Sequence, residues 1–72
     1  MKTATIRKSA GYTSLWIRYR GALEVVAIDY TTYGPEWNEN HGMNITEQIT
    51  AEGITFDIWR GAGMVCATPT RG

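Results

Sequence analysis

One cysteine, Cys66, is all the thiol chemistry in this 72-residue chain, so no internal disulfide is available to staple it. Long apolar runs are missing too: nothing approaches the ~20 residues that a bilayer-spanning helix needs, and no secretory leader is recognisable. A reducing, cytoplasmic setting without membrane insertion is therefore expected. Asn44-Ile45-Thr46 matches a glycosylation acceptor, which in a chain without a secretory segment reads as coincidence.

Acid is absent from one end. Residues 1–20 hold Lys2, Arg7, Lys8, Arg18 and Arg20 with no Asp or Glu, whereas the remainder holds all seven acids against Arg60 and Arg71. Formal net charge is zero. The simpler expectation is that the two segments neutralise each other across neighbouring strands. The sharper one is a molecule with one basic and one acidic face, which would orient a charged partner.

Catalytic and metal-binding spacings are lacking as well. Glu36, Glu39 and His41 put two carboxylates and an imidazole within six positions. A metal site needs three or four convergent ligands with supporting groups around them, and nothing elsewhere in the chain completes the set. With Arg60 and a tyrosine the same residues imitate an acid–base hydrolase in residue type only. No cofactor, metal or enzymatic activity is expected. Cys66, among Met, Val and Ala, reads as a small hydrophobe rather than a nucleophile.

What is present is a globular composition, 43% hydrophobic and 19% charged. It fits a single small domain over residues 1–72 with a thin core. The organising stretch is Leu15 to Tyr30, LWIRYRGALEVVAIDY, which reads as a hairpin turning at Gly21-Ala22 in a type II′ turn. That register sets Leu15 against Ile28 and Ile17 against Val26 on one face, with Tyr19 and Glu24 at its wet end. The other face carries Trp16 opposite Ala27, Arg18 opposite Val25 and Arg20 opposite Leu23. The first face is core and the second is half apolar, half cationic.

Before the hairpin, Lys2–Lys8 alternates as an edge strand whose charges discourage edge association. After it, Gly34-Pro35 opens an irregular stretch with room for one helical turn from Pro35 and with Trp37 set among polar residues. Asn44–Gly53 has two readings. A strand turned at Glu52-Gly53 pairs Ile49 with Phe56 and puts Glu47 against Ile58 on the core face, a costly burial. A short helix over residues 44–52 is capped by Asn44 and Glu47 and ended by Gly53, and leaves Glu47 in water; the helix is preferred. Ile54–Arg60 alternates with Ile54, Phe56 and Ile58 inward and Thr55, Asp57 and Trp59 outward. Met64–Thr68 returns before Pro69, and Cys66 lies in that strand.

The expected fold is α+β: a small curved antiparallel sheet of about five strands in β-β-β-α-β-β order with one short helix, or alternatively an all-β meander. Tyr19–Ala27 resembles Trp59–Ala67 letter by letter over the turn, but the core parity differs, which suggests convergent hairpin chemistry rather than duplication.

Trp16, Arg18, Arg20, Trp37, Trp59 and Arg60 form the candidate partner-binding set, since Trp and Arg concentrate binding energy at interfaces. The leading expectation is a non-enzymatic protein-binding module, with self-association through the Trp16/Val25 face as one form of it. Its size suits a stoichiometric inhibitor or adaptor of the kind phages and mobile elements encode, anti-CRISPR proteins included. The alternative is a sheet that binds single-stranded nucleic acid by stacking and phosphate contacts. Against it stands the absence of a net basic charge.

Overall fold

The computed structural model describes residues 1–70. Six strands and one helix follow in the order β1 (Thr3–Ser9), β2 (Tyr12–Tyr19), β3 (Ala22–Ala27), α1 (Gly34–Asn40), β4 (Asn44–Ala51), β5 (Ile54–Gly61) and β6 (Met64–Pro69). They form two three-stranded antiparallel sheets, β1-β2-β3 and β4-β5-β6, rather than the one sheet of about five strands expected. The α+β class, the antiparallel pairing and the single short helix stand.

All four hairpins use one turn. Ala10-Gly11, Arg20-Gly21, Glu52-Gly53 and Ala62-Gly63 have φ of 49–52° at the first residue and 74–83° at the glycine. Positive φ at both central positions is the type I′ turn, whose twist matches that of the flanking strands. The central hairpin therefore turns on Arg20-Gly21, not on a type II′ Gly21-Ala22. Its register slides by two residues: Leu15 faces Val26, Trp16 faces Val25, Ile17 faces Glu24 and Arg18 faces Leu23. A slide of two preserves which side chains share a face, so the expected core and outer faces survive with different partners.

The helix expected over residues 44–52 is strand β4, and the helix lies earlier, starting beside Pro35. β4 pairs Ile49 with Phe56 and Glu47 with Ile58, the register set aside for burying a carboxylate. The cost is offset because Glu47 receives Lys2 at 2.6 Å and Arg60 at 3.3 Å. A bulge between Ile45 and Glu47 re-aims the strand there, and Thr46 Oγ1 donates to the Ile58 carbonyl at 3.3 Å.

The second meander repeats the first with a 42-residue offset: Tyr12–Tyr19 maps onto Ile54–Gly61 and Ala22–Ala27 onto Met64–Pro69. The lettered resemblance of Tyr19–Ala27 to Trp59–Ala67 is two residues out of step with this, since Arg20-Gly21 is a turn and Arg60-Gly61 ends β5. The core parity differs for a geometric reason. β1 lies beside β4 and β3 beside β6. The Ile28–Ala67 bridge is parallel, and the contacts Lys2–Glu47 and Ile6–Glu52 advance together along β1 and β4. The second sheet is thus placed against the first as by a translation, which brings the back of one against the front of the other. Side chains alternate between faces along a strand, so equivalent positions must swap roles. Leu15 and Ile17 point into the core, their counterparts Asp57 and Trp59 point away, and Phe56 and Ile58 point in instead.

Between the sheets Leu15, Ile17, Val26, Ile49, Ala51, Phe56, Ile58 and Ala67 form one buried cluster. Tyr30 adds its ring edge-on to Phe56 at 6.3 Å. Each large side chain buried there contributes about 1.5–3 kcal/mol. Among the described residues no helix is long and apolar enough to cross a membrane.

Candidate interaction surface

The two sheets differ in what lies on their outer faces. On the second sheet, α1 and the chain after it cover the outward side chains of β5 and β6. Asn38 donates from Nδ2 to Cys66 Sγ at 3.3 Å, Gly34 lies against the Thr68 methyl, and Met43 is buried. Trp59 is therefore only 3% exposed although it points away from the main core, and its Nε1 donates to Thr68 Oγ1 at 2.8 Å. Its placement as an exposed binding residue is corrected: the alternation gave the right face, but a segment distant in sequence roofs it. Burial pushes the Cys66 thiol pKa up, the Asn38 hydrogen bond opposes this, and the nearby Asp29 charge adds to the rise.

Among the described residues the first sheet has no such cover. Its outer face is built of rungs that the two registers define: Thr3–Arg18–Leu23, Thr5–Trp16–Val25 and Arg7–Ser14–Ala27. Neither Asp nor Glu occurs in any of them. Leu23 is 44% and Val25 49% exposed, an aliphatic pair on neighbouring rungs. Trp16 is half-buried, and the Arg7 guanidinium sits 4.5 Å from its ring centre. Its Nε1 donates to Ser14 Oγ at 3.2 Å. Arg7, Lys8, Tyr12, Trp16 and Val25 line a shallow groove of about 340 Å³ along this face. Among the described residues Arg7, Lys8, Arg18 and Arg20 form no ion pair.

Of the six residues proposed from sequence, Trp16 and Arg18 share this face. Arg20 occupies the turn and lies over the Tyr19 ring at 5.2 Å, so it flanks the face instead of joining a rung. Trp37 is on α1, 48% exposed, its ring stacked on His41 at 3.8 Å. It borders a separate crevice of about 560 Å³ with Ile28, Asp29, Met43 and Met64. Arg60, its side chain one-third exposed, is engaged by the fold's own carboxylates. It donates from Nη1 and Nη2 to the Glu24 carboxylate at 2.5 and 2.9 Å and reaches Glu47 besides. Lys2, Glu24, Glu47 and Arg60 come from four different strands or their ends and close one end of the inter-sheet core. The hydrogen bonds from Arg60 hold the Glu24 carboxyl below its ordinary pKa, and those from Lys2 and then Arg60 do the same for Glu47. Arg60 itself is held firmly charged by Glu24.

Arg7 is the residue that sequence reasoning left out of the set. Its position opposite Ser14 and next to Trp16 follows once Ala10-Gly11 is read as the same turn as Glu52-Gly53, so the signal was in the sequence. Glu36 and Glu39 lie on α1 and His41 just after it, with His41 Nδ1 2.7 Å from the Trp37 carbonyl; among the described residues no three His, Cys, Asp or Glu side chains are grouped to hold a metal ion.

The chain is thus a two-sheet α+β domain with one roofed sheet and one open one. Comparison with protein-family models, with curated proteins and with solved structures returns no match.

Proposed function

We propose that this domain is a non-enzymatic protein-binding module that works through the open outer face of its first sheet. The observation that carries the reading is the neighbouring pair Leu23 and Val25, each nearly half exposed on a sheet face that nothing among the described residues covers. Aliphatic side chains gain from burial against another apolar surface and offer nothing for stacking bases. Of the two aromatics on that face, Trp16 already carries Arg7 on its ring, and Tyr12 stands apart at the far end of β2. The aliphatic pair favours a protein over a nucleic acid as the occupant. Small size suits a stoichiometric role, as an inhibitor or adaptor of the kind mobile elements encode.

The test is quantitative affinity capture from a lysate of the cells that express the protein, comparing wild type with Leu23→Glu and Val25→Glu. Both variants are expected to melt within a few degrees of wild type, because their side chains are already wet. A partner captured by wild type and lost by both variants supports the module. Identical captures overturn it.

A further inference from the structure

We infer that the surface this face receives is acidic around an apolar centre, and that it belongs to another protein rather than to a second copy of this chain. The inference rests on the protein-binding reading above and adds the partner's chemistry. Its basis is a segregation of charge that the zero net charge conceals. Of the basic residues in 1–20, only Lys2 finds a carboxylate among the described residues, at Glu47. Arg7 and Arg18 stand in the rungs, Lys8 and Arg20 stand at their ends, and no acid occurs in the rungs to neutralise them.

The acids are consumed elsewhere. Glu24 and Glu47 hold Arg60 and Lys2, Glu52 accepts the Ile6 backbone N–H at 2.8 Å, and Asp57 accepts from Gln48 and Thr70. Glu36 and Glu39 lie on α1, which roofs the second sheet on the far side of the molecule. An approaching surface therefore meets Leu23 and Val25 flanked, on the β1–β2 side and at the turn, by guanidinium and ammonium groups that form no ion pair among the described residues. Carboxylates at the rim and aliphatic or aromatic groups at the centre complement that pattern.

A second copy does not. A two-fold interface sets the same patch against itself, which would oppose two sets of unpaired cations with no carboxylate between them. Like charges so placed disfavour the pairing. The charge also predicts how binding proceeds: opposite fields speed encounter, and salt slows it.

The experiment uses the intact protein as bait for a display library of random peptides, with single-stranded oligo-dT as a separate probe and light scattering on the protein alone. Expected are enriched peptides in which Asp or Glu flanks aliphatic or aromatic residues. Their amide-shift footprint should fall on β2 and β3, and Arg18→Glu should weaken them by about tenfold or more. Arg18→Ala should give a smaller loss and Glu36→Gln none. Raising salt from about 0.15 M to about 1 M shortens the screening length from about 8 to about 3 Å and should weaken binding in parallel. The protein alone should remain monomeric at low salt.

Peptides that bind this face without an acidic bias, or that ignore Arg18→Glu, overturn the acidic partner while leaving the binding module intact. Peptides that footprint elsewhere, or a selection that yields none dependent on this face, overturn the module itself. Oligo-dT binding more tightly than any peptide transfers the face to nucleic acid. A dimer whose contact includes Val25 overturns the exclusion of a second copy.

Discussion

The two meanders are built to the same plan, with identical turns and equal strand lengths in β2 and β5 and in β3 and β6, yet they do opposite work. The second sheet is covered on both sides, by the first sheet within and by α1 without, and its outward Trp59 and Thr68 are buried. The first is covered on one side only, and its outward Trp16, Leu23 and Val25 meet water. What separates scaffold from surface here is not strand design. It is the destination of the 16-residue connection, residues 28–43, which folds back over one sheet and leaves the other bare.

The sharpest way to break that contrast is to truncate the two tryptophans. Trp59→Ala removes a buried ring and leaves the Thr68 hydroxyl without its donor, at a cost of about 3–5 kcal/mol, most of what so small a domain holds. Trp16→Ala should cost about 1 kcal/mol or less, as expected away from a packed core. Urea denaturation of both variants reads the difference; equal losses would mean that the first sheet is not open in solution.

A second contrast concerns equivalent positions 19 and 61. Gly61 has φ of +148°, and a β-carbon there would collide with the Gly42 carbonyl oxygen and approach Met43 Cα within 3.0 Å. Both opposing groups are backbone, so Gly61→Ala must push the post-helix segment off the second sheet, costing about 2 kcal/mol. Its counterpart Tyr19 is 38% exposed, and Tyr19→Ala should change stability by about 0.5 kcal/mol at most. Exposure of Trp59 fluorescence in Gly61→Ala, without change in the first sheet's amide signals, would localise the damage.

The smallest effect is electrostatic. Arg60 ties the sheets together whereas Arg18 touches no carboxylate, so Arg60→Ala should lose about 1 kcal/mol and Arg18→Ala almost nothing. Because Glu24 and Glu47 titrate below their ordinary value of 4.5 in the fold, their contribution is complete above that pH and disappears as pH falls through the lowered folded values. Melting temperature should therefore drop on acidification below about pH 4.5 more steeply in wild type than in Arg60→Ala. Parallel curves would show that the Arg60 pairs with Glu24 and Glu47 contribute nothing to the fold.

Much of this was legible beforehand. Alternation in Leu15–Ile17 and Phe56–Ile58 named the core side chains, and glycine marked where the chain turns, although the central turn falls on Arg20-Gly21 and not on the expected Gly21-Ala22. The face holding Trp16 and Arg18 was recognised even with the register two residues out, because a two-residue slide preserves sidedness. The misplaced helix came from a pairwise estimate: Glu47 beside Ile58 is unfavourable alone, and its relief comes from Lys2 and Arg60, which sequence proximity does not connect. Trp59 was misjudged likewise, since period-two alternation says which face a residue is on and nothing about what lies over that face.

Local stereochemistry and alternation, then, were written into the order of residues: where the chain turns, which side chains of each strand face together, and that one stretch is cationic without acid. Only the folded chain decided that a second sheet lies translated against the first, that a distant segment shields its indole, and that Lys2 and Arg60 absorb carboxylates far along the sequence. Those outcomes depend on through-space neighbours, and burial and charge pairing are set by such neighbours rather than by position along the backbone.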